Sequence, residues 1–141
     1  LRGEGLVEEI DSQEQDHGIL SLVIAARILG VPAEYDQLFY CVPHEKREIG
    51  LLRAAQDMGL KSKIVHTDIS HIAKMAFPII AVRQDSDYGV IIKADEKHLL
   101  VFDCAQKRAM TLTYEKFAST WTGRFIFLTE KFKLKRKRNV S

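Results

Sequence analysis

Cysteine is scarce in this 141-residue chain: Cys41 and Cys104 are the only two, in no CxxC pair and with no histidine at ligand spacing. That excludes a disulfide framework and argues against a zinc site, so a reducing compartment is the expected home. Neither staple is needed, because a chain of this length buries about two thirds of its unfolded surface. Long apolar runs are also missing. Residues 19–29 and 77–82 are the longest, and both fall short of the ~20 apolar residues that span a bilayer, so no transmembrane helix is expected within the chain. An initiator methionine is absent too, and with Leu1 at the start the missing signal peptide carries no weight. Basic residues are few on the body: the net charge of +2, less the six basic residues between Lys131 and Arg138, leaves −4 on residues 1–130. A general nucleic-acid role needs basic residues spread over a folded face with aromatic platforms. Here the positive charge is terminal, and no nucleic-acid partner is expected.

What is present reads as one α+β domain, helices first and strands second. Residues 1–15 form a loose, acidic leader, and the domain proper is expected over 16–130. The apolar positions Ile19, Leu22, Val23, Ala26 and Leu29 return to one helical face, with Asp16 as cap and Gly30 as stop. A second helix is expected from Pro32 to Pro43 and a third from Lys46 to Met58, closed by Gly59. Strands follow at 61–65, 77–82, 88–92, 99–102 and 125–128, separated by polar turns. A short helix capped by Thr113 falls before the last of them. The pattern predicts a helical lobe packed on a C-terminal antiparallel sheet.

Asp16-His17-Gly18 opens the first helix, where free backbone N–H groups and the helix dipole would activate a thiol. This frame resembles the papain-like, bacteriocin-processing cysteine peptidase domain at the N-terminus of bacterial ABC exporters, in which an acidic residue, Cys and Gly begin the helix. By that resemblance, which covers about residues 10–130, His17 occupies the nucleophile position. Tyr88, at a strand start, stands where the general base belongs, and Asp103, fifteen residues later, stands at the orienting acid. The oxyanion-hole Gln, six positions before the Cys, is Asp11 here, with Gln13 and Gln15 out of register. Phe77-Pro78 and the turn Thr120-Trp121-Thr122-Gly123 complete the likeness. It is nearest to the degenerate, peptidase-like domains of haemolysin-type (RTX) type I secretion exporters, which hold unfolded substrate without cutting it.

The chemistry reaches the same point independently. Acyl transfer needs a thiolate or similar nucleophile, a base and an oxyanion donor, and an imidazole at residue 17 with a phenol at 88 is a poor substitute. No catalytic residue, metal or cofactor is therefore expected. The resemblance implies a non-enzymatic domain at the cytoplasmic face of a bacterial inner membrane. Its partners would be an unfolded RTX protein and the transmembrane and nucleotide-binding domains of the same exporter. Residues 131–141 would form a basic linker towards the membrane region, attracted to anionic inner-leaflet lipid; a solvated terminus is the plainer reading. An active peptidase that cleaves leader peptides is the alternative function.

Several residues admit two readings. His17 and Asp103 either pair, with or without a metal, or His17 is a partly exposed helix-start histidine. Tyr88 is either a contact in the relic cleft or a strand aromatic, and Trp121 either packs in the core or lines a binding surface. Both are the candidate substrate contacts. Cys104 and Cys41 read as buried small hydrophobes, and His44, His66, His71 and His98 as surface residues.

Overall fold

The computed structural model describes residues 15–42 and 47–130. The leader up to residue 14, Asp11 included, the segment 43–46 with Pro43 and His44, and the basic tail from 131 lie outside the described residues. Helices α1 (His17–Ile28), α2 (Tyr35–Cys41) and α3 (Arg47–Asp57) come first, then β1 (Leu60–His66) and a 3-10 turn (Ile69–Lys74). Strands β2 (Ile79–Arg83), β3 (Tyr88–Ala94), β4 (His98–Asp103) and β5 (Arg108–Thr113) precede α4 (Tyr114–Thr120) and β6 (Trp121–Glu130). All six strands join one sheet in the order β1-β6-β2-β3-β4-β5, every pair antiparallel. This is the α+β arrangement the residue pattern predicts.

Helix α1 forms where the caps say it should. The Asp16 carboxylate accepts from Ile19 N at 3.0 Å, satisfying one of the helix's free donors. At the other end Gly30 takes φ +82, a left-handed turn that costs glycine little. Beyond it the Arg27 guanidinium donates twice to Ala33 O, tying the turn into α2 to the last turn of α1. Helix α2 starts at Tyr35 rather than at Pro32, because Glu34 is still extended at its cap position.

The sheet separates two cores by simple alternation. Ile80, Val82, Tyr88, Val90, Ile126 and Leu128 point to the helices and pack on Ile19, Leu22 and Ala55. Ile79, Ala81, Ile91, Val101 and Phe125 point the other way, under Ile72 of the 3-10 turn and Phe117 of α4. Trp121 belongs to this second core, stacked on Phe117 with ring centroids 5.1 Å apart. Its ring also covers Gly89, where a Cβ would come within 2.5 Å of the indole and 2.9 Å of Phe102 O. Only a residue without a side chain lets the indole close over β3.

Candidate functional site

Where the N-terminus of α1 meets the hairpin between β2 and β3, a cleft of about 460 Å³ opens, lined by Asp16, His17, Gly18, Arg47, Asp85, Ser86, Asp87 and Tyr88. The hairpin is shaped by its own side chains. Asp85 accepts from Asp87 N at 3.1 Å, Ser86 sits at φ 69, and Arg83 N donates to Asp87 O at 2.7 Å. This turn holds the Asp87 side chain towards α1, where its Oδ1 accepts from His17 Nδ1 at 2.6 Å and from Tyr88 N at 2.9 Å. A carboxylate only accepts, so the proton of this bond is carried by Nδ1.

Residue 17 thus meets a carboxylate, and the carboxylate is Asp87, not Asp103. Asp103 lies in register with Gly89, and its side chain, 3% exposed, accepts from Arg83 Nη1 at 2.8 Å. It also accepts from Ala105 N at 2.8 Å and Gln106 N at 3.2 Å, closing the turn after β4. Arg83 in turn lies over the Trp121 ring at 5.8 Å. Asp103 is a buried clasp of the second core, outside the set that lines the cleft, so the expected convergence of His17, Tyr88 and Asp103 is replaced by a His17–Asp87 pair beside Tyr88. No group of three or more metal-ligating side chains forms among the described residues.

Tyr88 does reach the cleft, and its ring packs against Gly18, where a Cβ would come 3.2 Å from Tyr88 Cε1. It is only 8% exposed. Burial, followed by the nearby carboxylates of Glu48 and Asp16, pushes its phenol up to about 12, so it stays protonated at neutral pH and offers no base. Asp16 is held by Arg47 in an ion pair, and its backbone N–H donates to the Tyr35 hydroxyl at 2.5 Å. These contacts pin the mouth of the cleft to α2 and α3. Arg47 is the participant that residue spacing alone misses, since it sits 31 positions from its partner Asp16.

The remaining candidates lie elsewhere. Trp121 is 5% exposed on the sheet face away from the cleft. Cys104, in the turn after β4, is fully buried, and burial together with Asp87 and Asp103 pushes its thiol up to about 12, the opposite of activation. Cys41 corrects the expectation: it is exposed at the end of α2, because this seven-residue helix buries only Leu38. His66, His71 and His98 are exposed.

A family model described as the peptidase C39 family matches residues 8–133. Among curated proteins the chain is 27% identical over 124 residues to the toxin RTX-I translocation ATP-binding protein of Actinobacillus pleuropneumoniae, covering 84% of this chain and 18% of that protein. It is 23% identical over 128 residues to the leukotoxin translocation ATP-binding protein LktB of a Pasteurella haemolytica-like species, covering 87% and 18%. The chain therefore spans under a fifth of these relatives. Among solved structures, the peptidase domain of Streptococcus ComA superposes with a TM-score of 0.72 at 21% identity, over 82% of this chain and 92% of that one. The C39-like domain of a toxin secretion ATP-binding protein from Vibrio parahaemolyticus gives 0.67 at 20% identity, over 82% and 97%. A helical lobe on a six-stranded antiparallel sheet is accordingly a shared fold, and the chain belongs to the peptidase C39 family.

Proposed function

We propose that this chain is the non-catalytic, cargo-holding domain of a type I secretion ABC exporter, and that it binds an unfolded RTX protein before translocation. The observation that carries the reading is the content of the cleft: at the position where the family places its nucleophile stands an imidazole already engaged by Asp87, and no thiol lines the cavity. Papain-like acyl transfer has no starting point without a nucleophile next to a free base. The names of the relatives, translocation proteins for RTX-I toxin and leukotoxin, supply the cargo class. In this reading the domain works at the cytoplasmic face of the inner membrane, joined to transmembrane and nucleotide-binding domains of its own exporter. It needs no cofactor, and the basic residues beyond 130 lead towards anionic lipid.

Loss of the nucleophile removes cleavage without removing the cleft or the exposed sheet surface, so holding a chain does not depend on cutting it. Affinity is expected to be weak, since ordering a disordered partner costs about 2–5 kcal/mol of the gross interaction energy. Incubation with a double-glycine leader peptide tests the reading. The peptide is expected to come back intact, and specific cleavage after the glycines would establish the peptidase alternative.

A further inference from the structure

A second concavity, of about 630 Å³, lies beside the edge strand β1, away from the cleft. Its walls are Lys61, Ser62 and Lys63 of β1 with their register partners Thr129, Leu128 and Phe127 of β6. Met75 and Ala76, which follow the 3-10 turn, close one side, and Gln56 of α3 the end. Phe127 is half-buried and Met75 is 42% exposed, so the floor offers an apolar seat. The rim offers two ammonium groups. Lys61 and Lys63 alternate onto one face, both exposed, and neither makes an ion pair among the described residues.

Among the described residues no carboxylate lines this groove. The cleft has the opposite character, with Asp16, Asp85 and Asp87 against Arg47 and His17. On a body carrying −4 outside its tail, the groove is a positive, apolar-floored site, and an acidic chain is repelled from the cleft and drawn to it. Because β1 has a sheet neighbour on one side only, an extended chain lying along the groove also runs next to the open edge of a strand.

Resting on the cargo-holding reading, we propose that this groove, rather than the relic cleft, docks an extended acidic segment of the exported protein, seating an apolar side chain on Met75 and Phe127 between carboxylates that meet Lys61 and Lys63. The charge pattern gives selectivity and the apolar floor gives most of the hold, with each exposed ion pair adding a few-fold. Docking here leaves the Asp16–Arg47 and His17–Asp87 pairs undisturbed.

The test uses the 141-residue chain and a labelled synthetic peptide of glycine and aspartate with one central leucine, read by fluorescence anisotropy and by amide shifts in NMR. The expected shifts centre on Lys61, Lys63, Met75 and Phe127. Lys61→Glu with Lys63→Glu is expected to weaken binding about tenfold, and Met75→Asp about fivefold, on surface positions that leave the fold intact by circular dichroism. A peptide with lysine in place of aspartate should not bind. Unchanged affinity in the folded double variant, equal binding of the lysine peptide, or no saturable binding each overturn the groove. Shifts confined to residues 16–18 and 85–88 move the dock to the cleft and leave the cargo-holding reading standing. That reading falls separately, if unfolded exported protein does not bind the chain at all.

Discussion

Asp103→Ala separates a structural carboxylate from a catalytic relic. In the wild type this side chain accepts one charge-assisted bond from Arg83 and two from the backbone at Ala105 and Gln106. Removing one partner of a fully buried pair costs about 3–5 kcal/mol. Arg83, however, is 25% exposed and has Asp85 at 3.5 Å as a second partner, so part of the orphaned charge is solvated. The expected loss is therefore about 3 kcal/mol, which for a domain of this size lowers Tm by roughly 10 °C. Asp103→Asn keeps an oxygen for the two turn amides and should cost about half as much. A cycle with Arg83→Met should return a coupling of about 1–2 kcal/mol, because the double variant leaves no buried charge behind. Urea unfolding followed by tryptophan fluorescence measures all of these, with Trp121 lying over Arg83 as the reporter. If Asp103→Ala unfolds within about 0.5 kcal/mol of the wild type, the range of an inert surface change, the clasp assigned to Asp103 is wrong.

Thiol titration with a disulfide reagent at mild alkaline pH should modify Cys41 quickly and Cys104 only after denaturation, given their exposed and buried positions; rapid double modification of the folded chain would contradict the packing of the β4–β5 turn. Tyr88 makes stability pH-dependent at the alkaline end. Its folded pKa is raised from 10 to about 12, so its contribution is fully present below pH 10 and is lost as pH rises through 12, by at most about 3 kcal/mol. Tyr88→Phe should remove that part of the alkaline decline, and an identical decline in the variant would show the phenol to be solvated. His17→Cys alone is expected to give no protease, since Tyr88 supplies no base. The fair reconstruction adds Tyr88→His and Asp11→Gln, and turnover by the single variant in a leader-peptide assay would overturn the description of the cleft.

Much of the fold is legible in the residues. The cap at Asp16, the stops at Gly30 and Gly59 and the apolar runs of β2, β3 and β4 announce elements whose local chemistry and tertiary burial agree. What escapes has a physical cause. Strand β5 buries no residue fully as an edge strand, so its only apolar rhythm is the short alternation of Met110 and Leu112, and the 3-10 turn contributes mainly Ile72 to the core. Cys41 sits among Tyr40 and Val42 and looks like core in one dimension, yet Tyr40 itself is 86% exposed. The partner of His17 is hidden for a different reason. The family resemblance points to Asp103, while the choice of Asp87 is made by a hairpin whose Asp85 and Ser86 geometry turns that carboxylate to the helix. Residue spacing along a strand identifies which groups share an edge, not which of them the turns bring into contact.

The most direct test of the central claim is calorimetric titration of this chain with an exported RTX protein, held unfolded in chelator and then folded in calcium. Saturable micromolar binding of the unfolded form, recovery of both partners uncut, and little or no binding of the folded form are expected. Equal or tighter binding of the folded form, or a cut cargo, would contradict that claim.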